Sequence, residues 1–307
     1  MIATVTLNPA LDKTLIGSRL VMGDVNRMDE VKSIPGGKGI NVAKVLAQYG
    51  YEVKALGFLG GYTGKYIGSL VESYGIKTAF TQVAGETRTS TNVISDDGYI
   101  TELLEPGPFI SKEEIDAFLS AYETEIKDCE MVVISGSAPQ GVDAEMYAQM
   151  INAANKMGKK VLLDTSGNNL KKGMYARPYF MKPNIKELET LQGKKMQNLD
   201  DIKDAATEIV EWGVPHVMVS MGSKGIVYAY EENGEVMTSH IPAPKIKVIN
   251  SVGSGDSAVA AFAMAQLDGL DPIATLKRCV AISCTNAISL ENGVIDKEKA
   301  AEIEASL

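Results

Sequence analysis

Met131-Val132-Val133-Ile134 and Val161-Leu162-Leu163-Asp164 bracket a helical pattern over residues 143–155. Both flanking runs are apolar without alternation, as a strand must be when helices cover both of its faces. The helix between them supplies the crossover that two parallel strands need. The same rhythm continues outward. On the N-terminal side, residues 53–58 read as a strand and 64–73 as a helix. On the C-terminal side, Phe180-Met181 leads through Pro183 into a helix from Ile185, and residues 200–212 are helical. Val217-Met218-Val219 is a further strand, and residues 254–267 and 272–289 read as the last long helices. The expectation is an α/β fold built on a mostly parallel sheet.

Two stretches break this rhythm, at about residues 13–34 and 87–104. They carry strand-type runs such as Ser90-Thr91-Asn92-Val93-Ile94 and Tyr99-Ile100-Thr101-Glu102-Leu103, joined across Asp97-Gly98, a hairpin turn signal. They are read as a small antiparallel β lid on an otherwise single domain spanning residues 1–307. Such a lid suits chemistry from which water must be excluded.

The chain has 307 residues, 45% hydrophobic and 22% charged, with a formal net charge of −9. No run of Lys and Arg exceeds two residues, so no nucleic-acid partner is expected, because a phosphate backbone needs clustered cations. No basic n-region precedes Ile2-Ala3-Thr4-Val5, and no segment approaches the length of a membrane span. Cys129, Cys279 and Cys284 are odd in number and lack C-x-x-C spacing, which fits buried free thiols and a cytoplasmic setting. His216 and His240 sit beside strand residues without partners and are read as structural.

Two glycine-rich segments carry the chemistry. Pro35-Gly36-Gly37-Lys38-Gly39-Ile40-Asn41-Val42-Ala43 opens a helix; its glycines permit close backbone approach to a ligand, and a tight turn before a helix is the other reading. Asn250-Ser251-Val252-Gly253-Ser254-Gly255-Asp256-Ser257-Ala258 follows the strand-like Ile246-Lys247-Val248-Ile249 and opens an alanine-rich helix. Free N–H groups there suit an anion, whereas Asp256 taken alone reads as a helix cap. Neither segment is a P-loop. A dinucleotide fingerprint is also missing, since Asn8-Pro9 follows the first strand.

Taken together, the two segments resemble the ribokinase-like (PfkB) carbohydrate kinase family. Further matches are Thr6-Leu7-Asn8-Pro9-Ala10-Leu11-Asp12, Ile134-Ser135-Gly136-Ser137-Ala138-Pro139, Lys182-Pro183-Asn184-Ile185-Lys186-Glu187-Leu188 and Val219-Ser220-Met221-Gly222-Ser223-Lys224-Gly225. The first of these looks like the opening of the sugar-phosphate branch, which holds 1-phosphofructokinases, tagatose-6-phosphate kinases and a minor type of 6-phosphofructokinase. The resemblance covers essentially the whole chain and implies a three-layer α/β/α domain. It implies ATP and Mg²⁺ as cofactors, and a homodimer formed through the lid. It implies Asp256 as general base, with Gly253, Ser254 and Gly255 as an anion hole. Asp12, Gly36, Gly37, Asn41 and Ser137 fall to the sugar, and Arg27, Lys38 and Arg88 to its existing phosphate. Lys182, Asn184, Ser220, Gly222, Gly225 and Asn286 fall to the nucleotide, with Asn184 and Glu187 organising the metal through water. A non-catalytic sugar-phosphate sensor on the same fold is expected to lose the base or the glycines, and both are present.

The substrate reading divides. Thr87-Arg88 is followed by Thr89-Ser90-Thr91-Asn92-Val93, without the lysine of many 1-phosphofructokinases, and Thr101-Glu102-Leu103-Leu104-Glu105-Pro106-Gly107-Pro108 looks closer to tagatose-6-phosphate kinases. The segments Pro35 to Lys44 and Ala55-Leu56-Gly57-Phe58-Leu59-Gly60-Gly61 look like 1-phosphofructokinases. Fructose 1-phosphate is the expected substrate, with tagatose 6-phosphate and fructose 6-phosphate as alternatives.

Overall fold

A computed structural model describes residues 1–307. The chain begins with β1 (Ile2–Thr6), β2 (Ala10–Gly17), β3 (Glu30–Gly36), α1 (Lys38–Gln48), β4 (Val53–Gly60) and α2 (Gly61–Ser73). It continues through β5 (Lys77–Val83), β6 (Thr89–Ser95), β7 (Ile100–Leu104), α3 (Lys112–Glu125), β8 (Met131–Ser135) and α4 (Glu145–Lys156). Next come β9 (Lys160–Asp164), α5 (Gly167–Tyr175), β10 (Phe180–Met181), α6 (Ile185–Gln192) and α7 (Leu199–Glu211). The last part holds β11 (His216–Ser220), β12 (Ile226–Glu232), β13 (Glu235–Ile241), α8 (Ser254–Leu267), α9 (Pro272–Ala287) and α10 (Lys297–Ser306).

The main sheet has nine strands in the order β13-β12-β11-β10-β9-β8-β1-β4-β5. The seven from β11 to β5 are parallel, and β12 and β13 close one edge as an antiparallel hairpin. Each face of the sheet has its own core. Ile2, Leu46, Phe180 and Tyr228 pack with α1, α8 and α9 on one side. Val5, Val132, Leu163 and Val219 pack with α3, α4 and α7 on the other. This is the three-layer α/β/α arrangement, and the neighbouring odd and even positions of β1 feed opposite layers, as the strand period of two requires.

A second sheet, in the order β3-β2-β6-β7, stands apart from the first. Its outer pairs, β2 with β3 and β6 with β7, are antiparallel, and the central pair of β2 with β6 runs parallel. Gly98 takes a φ of 85° in the β6–β7 turn, as an Asp-Gly hairpin needs. Every residue of β7 is exposed.

The segment Ile246 to Ile249 is not a strand. β13 stops at Ile241 before Pro242 and Pro244, and the N–H groups of Ile249 and Asn250 donate instead to the Ala287 carbonyl at the end of α9. Proline removes ladder donors, so this stretch leaves the sheet and crosses to the helix. The three cysteines are buried and unpaired. No helix is long and apolar enough to cross a membrane.

Candidate active site

The strand order reverses beside β1: β4 and β5 lie on one side, and β8 to β11 on the other. In open α/β sheets the crevice outside the carboxyl ends of the strands at such a reversal is where ligands bind. Asp164 ends β9, Lys182 follows β10 and Ser220 ends β11, so the sheet delivers these side chains to that edge.

Asp256 occupies the first turn of α8 and is 4% exposed. It does not cap the helix. The cap position is Gly253, at a φ of 81° that favours glycine, and no side chain caps the turn. The Asp256 carboxylate accepts instead from Asn41 Nδ2 at 2.8 Å, across from α1. Burial pushes the Asp256 pKa up to about 6, with Asp164 adding to the rise and Lys38 and Lys182 opposing it. Ser254 N–H donates back to the Ser251 carbonyl at 3.3 Å, and the next backbone bond is from Ser257 N–H to the Gly253 carbonyl. The N–H groups of Gly255 and Asp256 are therefore free donors at the positive end of the helix dipole, suited to an anion.

Asp164 sits beneath this turn, 1% exposed, with Lys38 Nζ at 3.4 Å and Lys182 Nζ at 3.5 Å. Burial alone would raise its pKa, but the two ammonium groups hold it below the usual carboxylate range. Lys182 is buried, and a methyl group on Gly255 would come within 3.0 Å of its ammonium. Two cations and a free helix N-terminus thus converge on one point beside a carboxylate, an arrangement that can hold a transferring phosphoryl group next to a base.

The small sheet closes the other side. Asp12 on β2 lies against Gly36, where a methyl group would meet its carboxylate at 2.1 Å. This close approach explains why a glycine stands there. Burial pushes Asp12 up to about 6, against the opposing pull of Arg88 and Lys44. Arg88 is half-buried. Its Nη2 donates to the Asn8 carbonyl and its Nη1 to the Glu105 carbonyl, both at 3.3 Å. It forms no ion pair, and its Nε is buried without a partner. Thr6 Oγ1, Asn8 Oδ1 and Asn41 Oδ1 are also buried and unpartnered. Orphaned polar atoms of this kind are costly in a closed core and expected where a polar ligand completes them.

A cavity of about 500 Å³ adjoins the α8 turn, lined by Ser220, Gly222, Gly225, Ser254 and Gly255 together with apolar groups such as Ile246, Val248 and Val280. The nucleotide candidates Ser220, Gly222 and Gly225 thus share one pocket with the glycine turn. Asn286 does not line it. It is 1% exposed, donating to the Val252 carbonyl at 2.7 Å and to Ser254 Oγ at 3.3 Å, and accepting from Gly293 N–H. It supports the turn from below, while Ser283, Cys284 and Ala287 on the same helix face the cavity.

Asn184 caps α6, accepting from Glu187 N–H at 3.0 Å, and Glu187 Oε2 accepts from Asn184 N–H at 2.8 Å. This reciprocal box leaves Glu187 Oε1 uncommitted. No group of three His, Cys, Asp or Glu side chains converges as a metal cage. One free carboxylate oxygen fits Mg²⁺ held through water and phosphates, which is the usual manner of that ion beside a nucleotide.

Ser137 is exposed in the turn after β8, where Gly136 adjoins Lys38. Arg27 lies on the exposed loop between β2 and β3 and makes no hydrogen bond or ion pair to the residues above. His216 accepts or donates at the Tyr228 hydroxyl and is pushed down to about 4 by burial, and His240 meets the Lys224 carbonyl; both are remote in role from the carboxylate cluster. Asp164 is the residue that sequence reasoning passed over. Its only signal was a carboxylate ending an apolar strand, and its partners stand 126 and 18 positions away.

Solved structures share this fold. Phosphofructokinase-2 from Escherichia coli, in complex with potassium, aligns at a TM-score of 0.93 and 29% identity over 99% of this chain and 98% of that one. A possible 1-phosphofructokinase from Thermotoga maritima aligns at 0.88 and 27% over 99% and 97%. Ribokinase of Arabidopsis thaliana, complexed with ribose and ATP, aligns at 0.76 and 21% over 99% and 98%, a likeness of fold. The pfkB family of carbohydrate kinases matches residues 6–291, nearly the full length over which the sheet, the lid and the α8 turn are built, and the chain belongs to that family.

Proposed function

We propose that this carbohydrate kinase transfers the γ-phosphate of ATP to fructose 1-phosphate, giving fructose 1,6-bisphosphate. The observation that carries the phosphorylated substrate is Arg88, a half-buried guanidinium with no carboxylate partner and an orphaned Nε. A neutral sugar gives such a group nothing that matches its charge, whereas a phosphate meets it with charge-assisted bonds.

In this reading Asp256 takes the proton of the acceptor hydroxyl as the new P–O bond forms. Asn41 holds the carboxylate in place through the 2.8 Å bond. The Gly253-Ser254-Gly255 turn forms the anion hole, presenting the free N–H groups of Gly255 and Asp256, with Lys182 beside it. Asp12, Gly36, Gly37 and Ser137 hold sugar hydroxyls. Arg88 serves the existing phosphate, joined by Arg27 through movement of its exposed loop, whereas Lys38, expected there from the sequence, pairs with Asp164 beside the α8 turn and serves the transferring phosphoryl group instead. Ser220, Gly222 and Gly225 take the nucleotide. Mg²⁺, when bound, neutralises phosphate charge; Glu187 would hold it through water, with Asn184 fixing the Glu187 carboxylate.

Activity on fructose 1-phosphate, tagatose 6-phosphate and fructose 6-phosphate, measured side by side with fructose, tests the reading. The expected result is the highest kcat/KM on fructose 1-phosphate. Tagatose 6-phosphate is the second reading, favoured by the segment from Thr101 to Pro108. Turnover of fructose as efficient as that of any phosphate ester overturns the role given to Arg88.

We also propose a homodimer through the lid. Ile100, Leu103 and Leu104 of β7, a free edge strand, and Tyr99 just before it are 58–66% exposed. Val21, Met22, Val25 and Val31 add exposed apolar area on the same unit. An open edge with an apolar flank is a pairing surface, and a four-stranded sheet gains by burying one face. Light scattering should give twice the chain mass at micromolar concentration. A fully active monomer under those conditions removes the proposal.

A further inference from the structure

Lys44 lies on α1 one turn beyond Asn41 and is 1% exposed. Its ammonium donates to one group, the Asn292 carbonyl at 2.6 Å, and forms no ion pair. The Tyr74 ring faces it at 5.2 Å. Taking an ammonium out of water is costly unless a full set of partners replaces the hydration. An apolar side chain of the same length would avoid that cost, so the ammonium is explained by what it holds in place.

It holds residues 289–295, the connection between α9 and α10. Gln48, one turn further along α1, grips the same segment, donating to the Gly293 carbonyl and accepting from Ile295 N–H at 3.0 Å. Gly293 takes a φ of 72° and packs so closely on α1 that a methyl group there would meet the Asn41 carbonyl at 3.3 Å. The other side of the segment reaches the α8 turn. Gly293 N–H donates to Asn286 Oδ1, and Asn286 donates to Val252 and Ser254. Asn292 Oδ1 accepts from Asn250 Nδ2 at 2.8 Å, and Asn250 Oδ1 accepts from Val252 N–H at 3.0 Å. The circuit closes through Asn41 and Asp256. One helix thus grips the carboxylate directly and the turn in front of it through the 289–295 segment.

We infer that Lys44 is a positioning residue for phosphoryl transfer: its ammonium pins the 289–295 segment to α1 and so keeps the helix bearing Asn41 in register with the Gly253–Gly255 turn. The inference rests on the reading of that turn and Asp256 as the transfer site. Lys44 touches no substrate in this reading and acts through Asn292, Asn286 and Asn250. Its loss loosens the geometry of the transfer step more than the affinity for either substrate, because misplacement of reacting groups by about 1 Å is enough to cost up to about 10²-fold in rate.

The test is Lys44→Met, near-isosteric and apolar, in the full chain. Amide hydrogen exchange at residues 250–255 and 289–295 should accelerate about tenfold while the strands of the main sheet keep wild-type protection. The melting temperature should stay level or rise, since an apolar side chain replaces a buried charge. With the ketohexose phosphate that turns over best, kcat should fall about tenfold or more, with KM for ATP and sugar changed by less than about threefold. Lys44→Arg, which keeps a charged donor, should recover part of kcat. Unchanged exchange in both segments overturns the inference, as does an activity loss that merely follows global unfolding. Should Lys44→Met fail to fold, Gln48→Met releases the same segment from the same helix and is read by the same exchange. Asp256→Asn run in parallel separates the two layers: a fully active Asp256→Asn removes the transfer-site reading, whereas an inactive Asp256→Asn beside a normal Lys44→Met removes this inference alone.

Discussion

Asp256→Asn lowers kcat by about 10² or more while leaving the fold and ATP binding intact, the scale set by loss of a general base. The substitution is gentle in shape. The amide that replaces the carboxylate retains an oxygen able to accept from Asn41 Nδ2, the bond that now measures 2.8 Å, so the side chain has reason to stay in place. What it loses is the capacity to take a proton. The pH profile separates this cause from simple damage. Burial raises both Asp256 and Asp12 to about 6, so each is protonated and inactive as pH falls below that value. In the wild type, log kcat/KM for the sugar phosphate should fall steeply below pH 6, as both carboxyls and the substrate phosphate take up protons. In Asp256→Asn the slope of that fall should be smaller by one, since one titrating carboxyl has been removed while the Asp12 carboxyl and the substrate phosphate remain. A mutant that keeps more than about a third of wild-type kcat, with chemistry shown to limit the rate, would sink the assignment.

How much of this was legible beforehand follows from which contacts are local. The parallel strands stood out because both faces of β8 and β9 are covered, and a doubly covered strand can only be continuously apolar. α8 was legible to the residue, since a glycine turn precedes it and alanine fills it. The β12–β13 hairpin went unread although Asn233-Gly234 joins its strands with both residues at positive φ, the strongest short-range hairpin signal. Ile246 to Ile249 misled for the opposite reason. Its composition is strand-like, but the N–H groups at its end, of Ile249 and Asn250, go to the Ala287 carbonyl at the end of α9, a contact about 40 positions away that no local pattern announces. The same limit hid the parallel pairing of β2 with β6, which joins two lid stretches that each look antiparallel alone. At the site, the glycines and Asp256 stand together in sequence as one contiguous segment, so their juxtaposition needed no tertiary information. Asp164 and Lys44 were not legible, because each is given meaning by partners from distant segments. The place of Asn286 beneath the turn, away from the cavity lining, could not be read in advance, since a buried amide under a loop and an amide facing a base look alike in sequence.

Arg88→Ala should cost roughly 10- to 150-fold in kcat/KM for the phosphorylated sugar, the equivalent of about 1.5–3 kcal/mol for a charge-assisted contact. Most of it should appear as a higher KM, because the existing phosphate takes no part in the bond being made. KM for ATP should change little, since the cavity proposed for the nucleotide lies at Ser220, Gly222 and Gly225, on elements that Arg88 does not touch. The side chain now rests on two long bonds to carbonyl oxygens, at 3.3 Å each, with its Nε orphaned. Those weak contacts orient the guanidinium without satisfying it, which leaves the fork free to turn onto a phosphate. Arg88→Lys should recover only part of the loss, because an ammonium is a point charge and cannot reproduce a planar bidentate pair. A guanidinium that only braces the β6 end of the lid against Asn8 and Glu105 predicts something else: comparable losses for ATP and sugar, and a lower melting temperature in both variants. No kinetic change in either variant would return Arg88 to the status of an ordinary lid charge, and the phosphorylated substrate would lose its main support. A loss confined to the sugar phosphate, and absent when fructose is the acceptor, is the outcome that the half-buried and unpaired guanidinium leads one to expect.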